Sequence, residues 1–333
     1  MMMAHQDERR GYVLVTVLLL IVLLAGLLLQ FNRESRTKLE VSDSRLQAAQ
    51  AASCAEAGLT AALAAIRSDG RAEAILEAPL HLRIEGAGEC TVTVSLENGK
   101  LNANGLRMTD GQLDRRRIEC ILRLIDLLNR RYPRGNTIGY GIVPAIIDWT
   151  DPDTDLTHLP FIERENEGAE NEYYQGLARP YQCKNGPLDS VRELLLVRGI
   201  TPEVFEGPAG GSGTGRAVPG LGQLVTVYGD GKVDINHSPR LVVESLSELI
   251  DPVLMQSIVD HRPYASMTEL AGAPGMSMKV MDAVGGLITM KTVAAFYRIE
   301  SVGRVGAFER RIAMIAATDG KTDSATVLLR EEQ

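Results

Sequence analysis

Hydrophobic positions along this chain follow three rhythms, and the first is the longest. From Gly11 to Phe31 no Asp, Glu, Lys or Arg interrupts an apolar run that reaches Leu29. About eighteen or more such residues read as a membrane-spanning helix, because in lipid only a helix pairs every backbone group within itself. The helical period continues past Gln30, through Arg33, Arg36 and Lys38, into Leu39, Leu46, Leu59, Leu63 and Ile66. The pattern therefore predicts one long helix that starts in a membrane and emerges from it. A secretory signal would be shorter and would end at a small-residue cleavage site. Ser68-Asp69-Gly70 breaks the helix.

A second rhythm, strict alternation with β-branched residues, marks strands at residues 81–85 and 90–96. Glu97-Asn98-Gly99-Lys100 is a turn signal of the Asn-Gly type. Helical spacing returns at Asp114, with Ile118, Ile121, Leu122, Ile125 and Leu128, and stops at Pro133-Arg134-Gly135-Asn136. The next helix ends in Ile146-Ile147-Asp148-Trp149. Two further helical blocks, 188–197 and 239–262, flank a glycine-rich loop at 207–222. Strand signals then resume at 293–302, 308–316 and 326–329. The expectation is an α+β chain: a leader (1–11), a transmembrane helix (12–30), a stem and first strands (31–108), an all-helical insertion (109–288) and the remaining strands of the same sheet (289–333).

Composition narrows this little. An apolar content of 45% with 23% charged residues, over 333 residues, fits folded units rather than disorder. A net charge of -8 argues against general nucleic-acid binding, which depends on neutralising phosphates. The four cysteines (Cys54, Cys90, Cys120, Cys183) contain no Cys-x-x-Cys pair, so a zinc site is not expected. In an oxidising compartment they allow three disulfide pairings, among which the sequence does not choose. Arg9 and Arg10 precede the apolar run while Arg33, Arg36 and Lys38 follow it, so positive-inside counting does not orient the helix.

The densest candidate chemistry lies between Asp148 and Glu172, where nine carboxylates face one basic residue, Arg164. Such a stretch is either solvated or neutralised by a cation, and calcium takes six to eight oxygens, carboxylates among them. Asp151, Asp153 and Asp155 begin like an EF-hand loop, but Leu156 replaces its glycine and Ile162 its last ligand. Gly210-Gly211-Ser212-Gly213 lacks the flanking strand, helix and Gly-Lys-Ser/Thr of a phosphate loop. None of the five histidines (His5, His81, His158, His237, His261) sits in a nucleophile motif, and no enzyme is expected.

Three groups of residues carry a family resemblance. Arg9-Arg10-Gly11 before the long apolar helix resembles the start of a type IV prepilin or pseudopilin. Asp148-Trp149-Thr150-Asp151-Pro152-Asp153, followed by Gly168-Ala169-Glu170-Asn171-Glu172-Tyr173-Tyr174, resembles the signature of K-type minor pseudopilins of type II secretion (the general secretion pathway protein K family). So do Leu101-Asn102-Ala103-Asn104 and the stretch from Pro180 to Thr201. The resemblance implies a pilin-like sheet interrupted by the helical insertion. It also implies cleavage between Gly11 and Tyr12 by a prepilin peptidase, with methylation of the new amine.

Most members of that family carry Glu where this chain has Thr16. There the carboxylate pairs with a neighbouring subunit's amine, and at a filament tip that amine is missing. A buried, unpaired carboxylate at bilayer depth would cost about 2.5–3.5 kcal/mol or more. The resemblance to the K-type subunit implies a tip subunit of the pseudopilus, non-enzymatic and acting in initiation or capping. Its partners would be the I- and J-type minor pseudopilins. The resemblance further implies an inner-membrane anchor with a cytoplasmic amino terminus and a periplasmic domain, and calcium in the helical unit at Asp151, Asp153, Glu170 and Glu172.

Residues 233–290 resemble a tandem helix-hairpin-helix of the SAM-like kind, which opens an alternative, a membrane-anchored protein of DNA uptake or of a pilus-like machine. Its hairpins, Leu249-Ile250-Asp251 and Gly275-Met276-Ser277, are not basic. Residues 240–290 hold three Lys/Arg against six acids, the wrong sign for phosphate.

Overall fold

The computed structural model describes residues 5–68, 72–84, 88–108, 110–132, 138–164, 166–208, 218–290, 295–318 and 325–332; of residues 5–12 and 72–73 it describes the backbone alone. The expected turn at 69–70, the end of the first strand at 85, the stop at 133–136 and the centre of the glycine-rich loop at 209–217 lie outside these residues, as do the side chains of Gly11 and Tyr12.

One helix, α1 (His5–Arg67), runs without a break through both the apolar run and the alanine-rich stem. At 1.5 Å per residue it is about 95 Å long. In its first part every side chain from Val13 to Phe31 is exposed, in a segment of mean hydropathy 2.9. A solvent-facing helix of that composition would be unstable in water, and a bilayer is the environment that accepts it. Farther along, Ala51, Cys54, Ala55, Leu59, Ala62 and Ile66 recur at three- and four-residue spacing and are all buried. That stripe is what docks α1 onto the sheet.

After the short helix α2 (Ala72–Glu77) come the strands β1 (Leu80–Ile84) and β2 (Gly88–Leu96). Cys90, Val92, Val94 and Leu96 alternate inward along β2, as period-two patterning demands. The chain then leaves the sheet for almost 200 residues, and that excursion opens with a two-residue strand, β3 (Leu101–Asn102). Helices α3 (Arg115–Asn129), α4 (Ile142–Thr150), α5 (Asn171–Gln175) and α6 (Pro202–Glu206) follow it. Next are β4 (Val225–Thr226), β5 (Val233–Asp234), α7 (Arg240–Ser245), α8 (Pro252–Asp260), α9 (Met267–Ala271), α10 (Met278–Val284) and β6 (Ile288–Thr289). Strands β7 (Ala295–Val305), β8 (Phe308–Thr318) and β9 (Ala325–Glu332) complete an antiparallel sheet of order β1-β2-β7-β8-β9.

Helix α1 covers one face of this sheet, packing on Val92, Val94, Ile299, Ile312, Met314 and Ala316. The approach is close because Gly303 has no side chain: a Cβ there would lie 2.0 Å from the carbonyl oxygen of Ala51. On the opposite face Ala313, Ile315 and Leu329 line a cleft with Lys100, Arg192 and Tyr228 of the inserted unit.

The insertion is not purely helical, which corrects the expectation. Two parallel ladders, β3 with β4 and β5 with β6, tie its two ends to its interior. The reason is backbone accounting: chain entering and leaving a buried unit needs partners for its N–H and C=O groups. Asn102 and Asn104 supply more of them. The Asn102 amide donates to the carbonyls of Tyr228 (3.0 Å) and Gly229 (3.2 Å); that of Asn104 donates to those of Leu188 (3.0 Å) and Val227 (3.1 Å). Leu101, Ala103 and Leu106, which the sequence assigns to the sheet unit, already belong to the insertion's core. The expected helix at 188–197 is a short 3-10 segment, Val191–Leu196, and the block at 239–262 divides into α7 and α8. Asp251 ends the intervening turn by capping α8, its carboxylate accepting from the Leu254 N–H at 2.8 Å.

Candidate metal centre

Helix α4 is buried along nearly its whole length, from Ile142 to Trp149, so whatever follows Trp149 is delivered to the interior's edge. Trp149 is clamped by edge-to-face contacts with Tyr174 (5.1 Å) and Tyr181 (6.2 Å), while its indole N–H donates to Glu193 at 3.0 Å. This aromatic knot draws α5, which carries Tyr174, against the end of α4. Two acidic segments far apart in sequence thereby share one site.

Asp148 and Asp151 lie at the carboxy end of α4, and Glu170 caps the amino end of α5. All three are buried, at 0%, 2% and 5% exposure. Asp151, Asp153 and Glu170 each offer an oxygen, and these oxygens lie within 4.8 Å of one another. Oxygens on opposite sides of one calcium ion, each at 2.3–2.6 Å, stand about 4.6–5.2 Å apart, so the spacing suits a single such ion.

The electrostatics are unresolved without one. Asp151 accepts a short hydrogen bond from Arg107, which also lies 3.9 Å from Asp153. The neighbouring Lys184 is held instead by Asp189 (2.7 Å) and Glu193 (2.9 Å). Of the three buried carboxylates, Asp151 alone is contacted by a guanidinium among the described residues, that of Arg107. Among the described residues, Asp148 Oδ2, Asp151 Oδ1 and Glu170 Oε1 are buried with no hydrogen-bond partner, as is the amide oxygen of Asn185, whose Nδ2 donates to the Asp153 carbonyl at 2.6 Å.

Unpartnered buried carboxylate oxygens resist ionising. Burial pushes Asp151 up to about 6, against the opposing pull of Arg107, with Asp153 and Asp148 adding to the rise. Burial likewise takes Glu170 up to about 7, opposed by the Asn171 N–H and reinforced by Asp148, Asp151 and Asp153. Asp148 is raised too, chiefly by burial. A multivalent cation would supply both the missing charge and the missing bonding partner, and the all-oxygen donor set fits a hard ion such as calcium.

Of the four expected ligands, the structure assembles Asp151, Asp153 and Glu170. Glu172 is exposed on α5 and lines the adjoining open cleft with Asn171, Tyr173 and Arg198. Glu170 is the extended N-cap of α5, whereas Glu172 stands two residues on, inside the helix, where each residue turns the side chain by a further ~100° and Glu172 comes to face solvent. Asp148 and Asn185, absent from the expected ligand set, supply unpartnered oxygens instead; both stand inside the motifs the sequence singles out. Gly168 completes the cradle, since a Cβ there would lie 2.0 Å from Asp148 Oδ2. Thr16 and the Gly11–Tyr12 junction lie on α1, Thr16 inside the apolar run and the junction at its start.

A continuous stem helix on an antiparallel sheet, with a helical unit inserted between its second and third strands, defines an α+β architecture of the pilin type. Comparison with known proteins makes that class more particular. Residues 99–207, which include the acidic cluster, match the family model of type II secretion system (T2SS) protein K. A 64-residue segment is 39% identical to the type II secretion system protein K of Aeromonas hydrophila, covering 19% of this chain and 17% of that relative's length. The fold resembles a chain of the GspK-GspI-GspJ complex from the type 2 secretion system of enterotoxigenic Escherichia coli, with a TM-score of 0.57 and 17% identity. That likeness covers 90% of this chain and 99% of the other. The chain is thus similar to protein K over residues 99–207, and in overall fold to a chain of that complex.

Proposed function

We propose that this protein is a non-enzymatic minor pseudopilin of a type II secretion system, acting at the pseudopilus tip in initiation or capping. The observation that carries the reading is the union, in one chain, of an exposed apolar helix segment and the protein K segment at 99–207. The stem suits packing beside other stems in a membrane. The bulky unit inserted in the sheet domain would obstruct a further subunit stacked above, while leaving the shaft below undisturbed. That geometry supports a tip position.

In this reading the stem is a single-pass inner-membrane anchor with its amino terminus in the cytoplasm and its sheet and helical units in the periplasm. A prepilin peptidase cuts between Gly11 and Tyr12. The solved relative is named as a complex of GspK with GspI and GspJ, which supports I- and J-type pseudopilins as partners. Calcium at Asp148, Asp151, Asp153 and Glu170 would lock α4 to α5 and hold the helical unit in one shape.

The test is capture of the full chain, in detergent, by I- and J-type domains and by duplex DNA at ~150 mM salt, which screens loose charge contacts. A stable ternary complex without DNA retention is expected. Salt-sensitive DNA retention without pseudopilin capture would overturn the reading in favour of a DNA-handling protein.

A further inference from the structure

The acidic cluster is met by a cation from a third segment, neither α4 nor α5. Arg107 stands between β3 and α3, at the entry to the inserted unit. Its backbone pairs with Leu113, and the next N–H, that of Met108, donates to the Gln112 carbonyl at 2.7 Å. Arg107 is thus anchored independently of α4 and α5. From there its side chain reaches two of the proposed ligands: Nη2 donates to Asp151 Oδ2 and lies 3.9 Å from Asp153 Oδ2. Two further cations of this region are engaged elsewhere. Lys184 is held by Asp189 and Glu193, and Arg198 by the Gly168 carbonyl at 2.9 Å and the ring of Tyr173.

Arg107 therefore uses an oxygen that a calcium ion would also draw on. The ion takes six to eight oxygens, whereas a guanidinium donates N–H bonds and offers no acceptor in return. A divalent ion and a guanidinium on the same two carboxylates also repel each other at short range. The ion carries the greater charge and can engage the unpartnered oxygens of Asp148, Asp151 and Glu170 at once, which Arg107 leaves unmet. The guanidinium has somewhere to go. Its side chain is 28% exposed, and Nη1 already donates to the Gly111 carbonyl at 3.1 Å, away from the cluster. We propose that Arg107 is the internal counter-ion of the carboxylate site, and that calcium displaces it from Asp151 and Asp153. The proposal rests on the calcium reading of this site given above.

The exchange changes which segments are joined. Without the ion, Arg107 ties the entry segment to the end of α4 and compensates Asp151, a buried carboxylate that is costly to leave unpaired. With the ion, α4 and α5 are joined through the metal, and the entry segment is freed from α4. Coupling between two ligands of one protein is reciprocal, so Arg107 weakens calcium binding by the factor by which calcium weakens the hold of Arg107. A residue that merely supported the fold or oriented Asp151 would act in the opposite direction, because its loss would weaken calcium binding as well.

The test has two arms, both on the full chain in detergent. In the first, calcium affinity is measured by competition with a chromophoric chelator, and stability by urea denaturation. Arg107→Met keeps an apolar stem and removes the charge. It should bind calcium more tightly than wild type, by roughly 5–150-fold, the usual span of coupling between sites. Its urea midpoint should fall in chelator and match wild type in saturating calcium. The second arm needs no substitution: wild type is treated with an arginine-modifying dicarbonyl, and the modified peptides are read by mass spectrometry. Arg107 should be protected in chelator and become reactive when calcium is added. Calcium binding by Arg107→Met equal to or weaker than wild type, or reactivity at Arg107 that calcium leaves unchanged or lowers, overturns the proposal while the calcium reading stands. Wild type that binds no calcium overturns that reading and this proposal with it.

Discussion

Gly168 sits directly against Asp148: a single Cβ added to the glycine would stand 2.0 Å from the carboxylate's Oδ2 and 2.7 Å from its Cγ. The carboxylate is buried and also accepts the Thr157 N–H at 2.9 Å, so it has no room to retreat. Gly168→Ala should therefore destabilise the helical unit by about 1–3 kcal/mol, as overpacking typically does. Urea denaturation with and without calcium measures it. A stability equal to wild type would show the cradle to be looser than its geometry.

The pH dependence has a definite sign. Asp151 at about 6 and Glu170 at about 7 lie above their ordinary values, so the cation-free folded state binds more protons than the unfolded chain. Stability from these groups is present below pH ~4, the unfolded carboxylate range, and is lost as pH rises through about 6 to 7. Calcium must displace those protons, so its stabilising effect should be small at pH 5 and large at pH 8. Melting temperatures at both values, with calcium and with a chelator, check this. Equal calcium effects would place the ion elsewhere.

Glu170→Gln separates charge from shape. The amide keeps the size while removing a carboxylate that is buried without enough partners. At pH 8 in chelator the variant should be as stable as wild type or more so, and should lose most of the calcium-dependent rise in melting temperature. Glu172→Gln, on an exposed residue outside the cluster, should change neither.

Asn104 bridges separated segments by donating to the Leu188 and Val227 carbonyls and accepting from the Leu188 N–H at 2.8 Å. Asn104→Ala should cost about 1–3 kcal/mol, because backbone groups lose partners where water enters poorly. Asn104→Asp keeps the acceptor, loses both donors and should also destabilise. Urea midpoints for the two variants test the bridge.

Gly303→Ala should loosen the stem, since its Cβ would meet the Ala51 carbonyl oxygen at 2.0 Å and the Ala55 N at 2.7 Å. Backbone cannot rotate aside as a side chain can, so a cost at or above the usual 1–3 kcal/mol of overpacking, ~3 kcal/mol, is expected. Limited proteolysis within residues 45–67 reports it, and unchanged protection would mean that α1 shifts without penalty.

Much of this architecture is written in local patterns. The uninterrupted apolar run, the buried stripe from Ala51 to Ile66 and the alternating strands on both sides of the insertion each follow from the period of side chains along a helix or strand. Periodicity is a property of neighbours in sequence, so it is legible without a fold. The clustering of acids between 148 and 172 was equally visible. Which of them face one another was not, because that depends on how α4 meets α5, and the meeting is set by Trp149, Tyr174 and Tyr181. Tertiary packing buried Asp148, Asp151 and Glu170, turned Glu172 outward and brought Arg107 from outside the stretch to answer Asp151. It also set Cys54 opposite β2, a contact that no spacing along the chain encodes, because contact between a helix and a strand depends on side-chain size at the crossing and not on separation in sequence.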